Sequence, residues 1–538
     1  MPPGPVASPL EVPVATIPEA LSLAHQAAQA GDRGRAQFIY GQILQAVPDE
    51  PNALNALGML YRQTGDLDAA EGHIRRAIAA CPDDPIFHNN LYLVLRDQSR
   101  VDEAVECCRR AVALDGNSPE LHNNLGVALK ATGALDEAVA SFRDAIGRKP
   151  TYADAHYNLA NALVMLRRLD EAESEFRHAL ELAPGDFEVH NNLGTLLRLR
   201  GRHSEAAQCF EAALALRPDS AEAHCNRALL RLRLGDFAQG WPEYEWRWRM
   251  SGAPAASFSE PRWEGQPLAD RTILLWSEQG LGDTIQFIRY AALVKGRGAR
   301  VLVDCPASLH ALLKNVPFID RFVSGSAPGE KIDYQIPLLS LPAACGTSLD
   351  TIPATIPYLH AEPPRVARWR QDFSGVQEFK VGIAWQGNRG FTGDSYRSVP
   401  LACFVPLAKC DGVKLFSLQK GYGSEQLPPL AGRLRIVDLA SSLDEEAGAF
   451  VDTAAVMMNL DLVITSDTSI AHLAGALGVR VWVALQQAPN WRWLRNRGDS
   501  PWYPTMRLFR QSRLGAWDDV FAEIAEALRS LSSRAGVN

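Results

Sequence analysis

The sequence predicts an α-helical solenoid followed by an α/β region with two doubly wound halves. Residue types recur every 34 positions through the first 250 residues, which is typical of stacked helix-turn-helix units. From Arg271 onward, short apolar runs alternate with helical stretches, as in a parallel sheet covered by helices. The first apolar run ends in the glycine turn Gly280-Leu-Gly-Asp283, which is typical of a strand that leads into a helix.

Composition excludes several classes of protein. The chain has 538 residues, 22% of them charged, and a net charge of −8, so we expect several globular domains and no nucleic-acid partner. No apolar run approaches the ~20 residues of a membrane span. Residues 1–16 are Pro-rich and lack the features of a secretion signal, so they are predicted to be a disordered leader. Nine Cys without a C-x-x-C pair predict reduced thiols and a cytoplasmic protein.

Several sets of residues share the 34-residue spacing in the repeat region. Small residues at fixed helical positions allow two helices to pack closely, and a proline ends each second helix. The prolines are Pro48, Pro82, Pro150, Pro184 and Pro218, with Gly116 in the missing place, and one set of small residues is Ala70, Ala104, Ala138, Ala172 and Ala206. Units are predicted to start near residues 17, 51, 85, 119, 153, 187 and 221.

Two further sets are polar and lie on the first helix of each unit. For the histidines, His88, His122, His156, His190 and His224, we favour hydrogen bonds between repeats. For the asparagines, Asn90, Asn124, Asn158, Asn192 and Asn226, inter-repeat bonds are again an alternative. There we favour a ladder that binds an extended peptide backbone, because an amide offers both a donor and an acceptor.

This array resembles the tetratricopeptide repeat (TPR) and the superhelix of the O-GlcNAc transferase family. The resemblance implies a TPR array of about seven units over residues 17–250, whose Asn ladder binds an acceptor protein. The aromatic stretch Gly240–Arg249 is predicted to be a cap that packs on the next domain, with a sugar-stacking platform as the less favoured alternative. Residues 251–270 are predicted to be a linker.

Two α/β halves are predicted after the linker, residues 271–365 and 366–532. Predicted strands are Ile273–Trp276, Val301–Asp304, Tyr334–Ile336, Lys380–Trp385, Lys414–Ser417, Ile436–Asp438, Leu462–Thr465 and Val481–Ala484. Predicted helices are Thr284–Lys295, Ser308–Asn315, Arg365–Phe373, Leu401–Lys409, Ala447–Met458 and Ser469–Leu477. Ligands of such folds bind outside the carboxyl ends of the strands.

Four stretches at predicted strand ends carry polar groups suited to an anionic ligand. Asp283 ends the first turn, as a helix N-cap or as a base. Asn388 and Arg397 follow the strand at Lys380, and Arg397 can neutralise a phosphate. Lys420 follows the next strand, with a surface role equally open. The fourth stretch, Thr465 to Gly478, contains Asp467, Thr468, Ser469 and His472 at a helix N-terminus, a favourable place for a diphosphate.

Together, the first and fourth stretches resemble glycosyltransferase family 9, the heptosyltransferase-like group. The resemblance implies a GT-B fold of two Rossmann-like halves, with Asp283 as the base and with Gly282, Asn388, Arg397, Lys420, Asp467, Thr468, Ser469 and His472 at the donor. Arg397 stands where the family commonly has Lys. The tail, with Trp491-Arg-Trp-Leu494, Ser500-Pro-Trp-Tyr-Pro504 and Leu508-Phe-Arg-Gln511, resembles a subgroup that joins TPR repeats to this module. Some members of that subgroup are flagellin glycosyltransferases with nonulosonic acid donors.

The sequence therefore predicts an inverting transferase that moves a sugar from a nucleotide donor to Ser or Thr of a protein held by the repeats. Donor candidates are a CMP-nonulosonic acid and ADP-heptose, and flagellin is the candidate acceptor. No cofactor or metal is expected, since the second half contains no Asp-x-Asp cluster. A transferase for glycan or lipid-linked acceptors, a non-enzymatic scaffold with a degenerate module, and a homodimer all stay open.

Overall fold

The structure is a computed structural model, and it describes residues 16–253, 258–325, 329–390, 393–445 and 448–535. Of the predicted leader, only Thr16 belongs to the described residues. The chain divides into two compact units, Met1–Leu196 and Leu197–Asn538. The division falls among the repeats, so the last helices of the array belong to the same unit as the α/β region.

The structure describes every residue from 16 to 253, and fourteen α-helices follow one another in this range. They form seven helix-turn-helix pairs, and the first helices begin at Ile17, Pro51, Pro85, Pro119, Ala153, Phe187 and Ala221, where the sequence predicts the units to start. The helices are α1 (Ile17–Gln29), α2 (Arg33–Ala46), α3 (Pro51–Thr64), α4 (Leu67–Ala80), α5 (Pro85–Asp97), α6 (Val101–Leu114), α7 (Pro119–Thr132), α8 (Leu135–Arg148), α9 (Ala153–Met165), α10 (Leu169–Leu182), α11 (Phe187–Leu199), α12 (His203–Leu216), α13 (Ala221–Leu234) and α14 (Phe237–Tyr244).

Local sequence accounts for the helix ends and for the close packing inside each pair. Ser118 caps α7 by accepting the Leu121 N–H, and Pro119 occupies the first helical position, where its missing N–H costs nothing. Gly126 lies against the buried ring of Phe142 on α8, and a Cβ at this position would come within 2.5 Å of the ring. Small residues therefore set the distance between the two helices of a unit.

The α/β region begins with a parallel sheet of four strands. These are β1 (Thr272–Trp276), β2 (Arg300–Asp304), β3 (Arg321–Val323) and β4 (Tyr334–Pro337), in the order β3-β2-β1-β4. The helices of this half are α15 (Leu281–Phe287), α16 (Tyr290–Lys295), α17 (His310–Leu313), α18 (Leu341–Ala344) and α19 (Pro363–Asp372). Four consecutive residues of β1 are buried, so both faces of the strand are covered, which explains its continuous apolar run.

A second parallel sheet has six strands. These are β5 (Phe379–Ala384), β6 (Val413–Ser417), β7 (Ile436–Asp438), β8 (Leu462–Ser466), β9 (Val481–Leu485) and β10 (Met506–Arg510), in the order β10-β9-β8-β5-β6-β7. The helices are α20 (Asp394–Arg397), α21 (Val451–Met457), α22 (Ser469–Ala476) and α23 (Trp517–Ala535). Strand order reverses between β5 and β8, and such a point is where doubly wound sheets bind ligands.

Four helix predictions are wrong in detail. The stretch Ser308–Asn315 is a 3₁₀ turn, Ala307–Leu309, followed by the four-residue α17. The stretch Thr284–Lys295 is two short helices, α15 and α16, which join at Ile288 and Arg289. The stretch Leu401–Lys409 consists of two 3₁₀ turns, because Pro406 lies between them and cannot donate a helical hydrogen bond. The helix predicted from residue 447 begins at Val451, and Ala447 itself lies outside the described residues.

The aromatic stretch at the end of the array packs on the α/β region, as predicted for a cap. Trp241 donates its indole N–H to the Thr347 carbonyl oxygen at 3.1 Å and meets Trp491 edge-on at 5.0 Å between ring centroids. Trp248 packs beside Trp276 at the end of β1. Across the described residues, no helix combines the length and apolarity required to cross a membrane.

Candidate functional site

Two strand-to-helix turns, one from each sheet, face each other in the α/β region. The first joins β1 to α15 and the second joins β8 to α22. Gly282 makes the approach possible, because a Cβ there would lie 3.2 Å from both the Ser469 Cα and the His472 Cδ2. Residues predicted for the base and for the donor site therefore lie side by side, at the carboxyl ends of their sheets.

Each carboxylate oxygen of Asp283 accepts a hydrogen bond, which fixes the side chain. One oxygen accepts the Gly280 N–H at 3.1 Å, which closes the first turn of α15, and the other accepts a hydrogen bond from Arg492. Its side chain is 22% exposed, so the carboxylate still reaches the cleft. The capping role that the sequence left open is thus present, and it does not occupy the whole group.

Arg492 is the residue of this site that sequence reasoning missed. Its buried guanidinium donates to Asp283, to the Gln286 Oε1 at 2.6 Å and to the Asn490 Oδ1 at 2.9 Å. The segment Trp491-Arg-Trp493 looked only like a family marker, because an arginine more than 200 positions from Asp283 gives no local signal of contact. The aromatic residues on both sides, which predict burial, are the signal that could have found it.

Asp467 and His472 are buried beside the same cleft. Burial raises the pKa of Asp467, against the opposing effects of the Trp493 indole, Arg397 and Arg492. Burial, with Arg492 and Arg289 nearby, holds the pKa of His472 well below its usual value, so the imidazole is neutral. Its Nδ1 lies 3.0 Å from the Tyr503 hydroxyl, and its ring stacks on Trp493. His472 is therefore a rigid neutral group rather than a source of charge.

Thr468 is the N-cap of α22, and within the described residues its side chain makes no capping bond to that helix. Its hydroxyl instead lies 3.3 Å from the Thr465 hydroxyl. Ser469 opens the helix beside Gly282. The N-terminus of α22 therefore lacks a side-chain cap from Thr468, and an uncapped helix N-terminus is a favourable place for an anion.

The predicted cations follow different strands and have different surroundings. Arg397 donates to the Asp394 Oδ1 at 3.1 Å, and its charge acts on both Asp467 and His472. It lies against Gly387, where a Cβ would come within 2.6 Å of the guanidinium. Its role at the donor stays a prediction.

Asn388 and Lys420 make local contacts. The Asn388 side chain accepts the Gly390 N–H at 2.9 Å, which shapes the loop after β5. Lys420 donates to the Leu443 carbonyl oxygen at 2.6 Å and to the Glu445 carboxylate at 2.8 Å. Their roles at the donor stay predictions.

A second carboxylate, Glu278, lies two residues after Trp276, the end of β1, and is almost fully buried, with 3% of its side chain exposed. One oxygen accepts from Arg247 at 3.1 Å, and the other has no hydrogen-bond partner among the described residues. Burial raises the pKa of Glu278 to about 7, opposed by Arg247 and reinforced by Asp283. Glu278 is therefore a buried acid that titrates near neutral pH.

Glu278 should make the free energy of unfolding fall as pH rises from about 4.5 to about 7, because the folded chain holds a proton that the unfolded chain releases. The loss should be on the order of 3 kcal/mol. We expect Glu278→Gln to reduce this loss, as measured by urea denaturation at pH 5 and pH 8. Glu264→Gln, at an exposed position in the same unit, should leave the pH dependence unchanged. An equal change in the free energy of unfolding between pH 5 and pH 8 for wild type and Glu278→Gln would contradict the raised pKa of Glu278.

The histidine set makes the inter-repeat bonds that we predicted. Each ring donates from Nε2 to the carbonyl oxygen six residues earlier, at the end of the preceding unit, at 2.9–3.0 Å. The acceptors are the carbonyl oxygens of Pro82, Gly116, Pro150, Pro184 and Pro218. This set joins adjacent repeats.

The asparagine set also bonds between repeats. Asn90, Asn124 and Asn158 each donate 2.8–3.0 Å bonds to the asparagine one position earlier in the preceding unit, namely Asn55, Asn89 and Asn123. Asn192 donates to the Asn161 Oδ1 and to the Tyr157 hydroxyl. All five members of the set are half-buried, so each amide keeps part of its surface in solvent. Peptide binding by this ladder stays a prediction.

One group of side chains in the described part of the chain has the spacing of a metal site. His156, Glu175 and His178 place a ligand atom each within 4.8 Å of one another. The Nδ1 of His156 already lies 2.6 Å from the Glu175 carboxylate, and its Nε2 bonds the Pro150 carbonyl oxygen. The first contact lies within one repeat and the second joins it to the preceding repeat, so both nitrogens of His156 already have partners.

Comparison with known proteins identifies the repeats. Tetratricopeptide repeat family models match residues 21–85, 91–153 and 129–196, and a TPR repeat model matches residues 194–235. The N-terminal region of this chain therefore consists of tetratricopeptide repeats. Such repeats form a scaffold for protein–protein interaction and bind peptide partners.

The chain is 25% identical to Protein FlbA of Caulobacter vibrioides over 342 residues, which cover 57% of this chain and 55% of the relative. It thus spans about half the length of the curated relative it matches. Two solved structures are similar to part of this chain. MamA is 25% identical, with 31% of this chain and 97% of that chain covered and a TM-score of 0.29. PilF of Pseudomonas aeruginosa is 21% identical, with 37% of this chain and 89% of that chain covered and a TM-score of 0.33.

Proposed function

We propose that this chain is an inverting glycosyltransferase that moves a sugar from a nucleotide-activated donor to Ser or Thr of a protein bound by its repeats. The observation that carries the proposal is the pair of facing turns, with Asp283 on one and the segment Asp467–His472 on the other. Two parallel sheets whose carboxyl ends face one cleft are the arrangement of a GT-B transferase, in which donor and acceptor lie in different halves.

The residues of the cleft divide the chemistry between them. Asp283 takes the proton from the acceptor hydroxyl, whose oxygen attacks the anomeric carbon of the sugar. The bond from this carbon to the phosphate oxygen breaks, and the phosphate leaves with the bonding electrons. Arg397 and the N-terminus of α22 stabilise the departing charge, because both present donors at fixed positions in a partly buried site. Arg492 donates a hydrogen bond to the Asp283 carboxylate and so fixes its position beside the acceptor.

The half-buried asparagines support a protein as the acceptor. An amide ladder along successive repeats binds a peptide backbone without regard to its sequence, because it offers the same donor and acceptor at each step. Flagellin is the acceptor suggested by the subgroup that joins such repeats to this module. The donor candidates are a CMP-nonulosonic acid and ADP-heptose.

A thermal-shift screen of the full chain against UDP, GDP, ADP, CMP, CDP and dTDP tests the proposal. One nucleotide should raise the Tm, since a ligand at 100 times its Kd adds roughly 2.7 kcal/mol to the free energy of unfolding. The matching nucleoside is the control and should have a much smaller effect, because it lacks the phosphate that Arg397 and α22 are proposed to bind.

Absence of any phosphate-dependent shift across the six nucleotides would sink the transferase proposal and favour a scaffold with a degenerate module. With a nucleotide identified, mass spectrometry of a protein acceptor incubated with the corresponding sugar donor should show the added mass of the sugar. Transfer to small glycans alone would favour the other acceptor class.

A further inference from the structure

A cluster of arginines lies outside the cleft just described, where the last repeats meet the loops after β9 and β10 within the second unit. It consists of Arg198 near the end of α11, Arg233 near the end of α13, and Arg510 at the end of β10, with exposed Arg495 nearby. We name it the arginine cluster. Arg233 is its centre, with only 4% of its surface exposed.

In the described part of the chain, two of the three guanidinium nitrogens of Arg233 lack partners, whereas Arg510 donates from Nε to the Arg497 carbonyl oxygen at 3.2 Å and from Nη2 to the Trp493 carbonyl oxygen. Within the described residues, Arg233 makes one hydrogen bond, from Nη2 to the Gln487 carbonyl oxygen at 3.3 Å, while its Nε and Nη1 have no acceptor. The Nε of Arg198 is likewise buried without an acceptor. The Gln511 Oε1 accepts from the Gln487 N–H, and the buried Nε2 of the same side chain has no acceptor among these residues. All four orphaned atoms are donors.

The charges around Arg233 are all of its own sign. In the described part of the chain, the charged groups that act on it are Arg198, Arg510 and Arg495, and together with burial they lower the pKa of Arg233 to about 10. Burial, with Arg233, Arg495 and Arg198, lowers the pKa of His203 at the start of α12 to about 4. Buried cations are normally paired with anions, because the free energy of desolvating an unpaired charge exceeds the stabilisation that most single contacts provide. Folding alone gives no reason to gather them here.

We propose that the arginine cluster is a binding site for an oxyanion, a phosphate or a carboxylate group. Only such a group accepts several hydrogen bonds at once and also neutralises several guanidinium charges. The site adjoins the carboxyl ends of β9 and β10, two strands away from the point between β5 and β8 where the sheet order reverses. Its centre, Arg233, is none of the residues proposed for the transfer reaction, although Arg510 also interacts with Asp467. The inference therefore does not depend on the proposed transferase activity.

Calorimetric titration and thermal shift of the full chain test the site, with inorganic phosphate, pyrophosphate and citrate as probes and chloride at equal ionic strength as the control for screening. Wild type should gain a rise in Tm that chloride does not produce. Arg233→Met should bind the preferred probe at least tenfold more weakly and lose the rise. Arg433→Met, at an exposed position in the same unit, should behave as wild type.

The sign of the stability change without anion separates a binding site from a structural role. Arg233→Met removes an unpaired buried charge, so the variant should have a higher Tm than wild type in chloride alone. A lower Tm, together with an unchanged response to the probes, would overturn the proposal, as would a wild-type response to phosphate and citrate no larger than to chloride. Arg198→Met provides a second variant with the same expected pattern.

Two arms identify the source of the anion. The first arm repeats the phosphate titration in the presence of a saturating concentration of the nucleotide that raises the Tm in the thermal-shift screen. If the heat of phosphate binding then disappears, the nucleotide itself supplies the oxyanion. If the heat persists, the oxyanion belongs to another molecule, and a larger response to citrate than to phosphate assigns a carboxylate. Both results agree with an oxyanion site.

Discussion

Replacement of Asp283 by Asn is expected to lower kcat by roughly 10³-fold, the usual contribution of a positioned general base. Asn is the same size and still accepts the Gly280 N–H, so α15 should stay capped. It loses the ability to take a proton from the acceptor hydroxyl. The measurement is release of nucleotide from the donor identified by the thermal-shift screen, in the presence of acceptor protein.

A matched control is available in the same half of the α/β region. Asp304 ends β2 and accepts the Gly325 N–H at 3.1 Å, so it also caps a turn at a strand end. Asp304→Asn should keep kcat within a few-fold of wild type. Asp283→Asn should still give the nucleotide-dependent rise in Tm, since the donor groups lie elsewhere. Full turnover by Asp283→Asn would remove Asp283 as the base and direct attention to Glu278.

Replacement of Arg397 by Met is expected to lower kcat/KM by about 10²–10³-fold, because one fixed donor to the developing phosphate charge is removed. The nucleotide should also bind more weakly. Arg397→Lys keeps the charge and restores the residue common in the resembled family, so it should recover part of the activity. Steady-state kinetics and calorimetric titration of the nucleotide measure the two effects.

Lys420→Met is the comparison for Arg397→Met. The Lys420 ammonium already bonds the Leu443 carbonyl oxygen and Glu445, so we expect a loss of less than about tenfold, since a partly exposed ion pair contributes little. A loss as large as that of Arg397→Met would mean that Lys420 leaves these partners and binds the donor. A loss in neither variant would contradict the assignment of the cation site.

The sequence alone determined the repeats and most of the strands. A 34-residue period fixes where each pair of helices starts, because the small residues and prolines that enforce close packing are local and recur. The buried parallel strands were visible as apolar runs. The strands β3 and β10 escaped prediction, since Arg321–Val323 is very short and Met506–Arg510 mixes charged with apolar side chains.

Only the tertiary structure decided which side chains share a site. The contact of Arg492 with Asp283 and the contact of Gly282 with Ser469 join residues roughly 200 positions apart, and no periodicity records such a distance. The same holds for the arginine cluster, whose members belong to three different elements and look like ordinary surface arginines in the sequence. Burial and the loss of partners give these residues their chemistry, because both depend on what the rest of the chain packs around them.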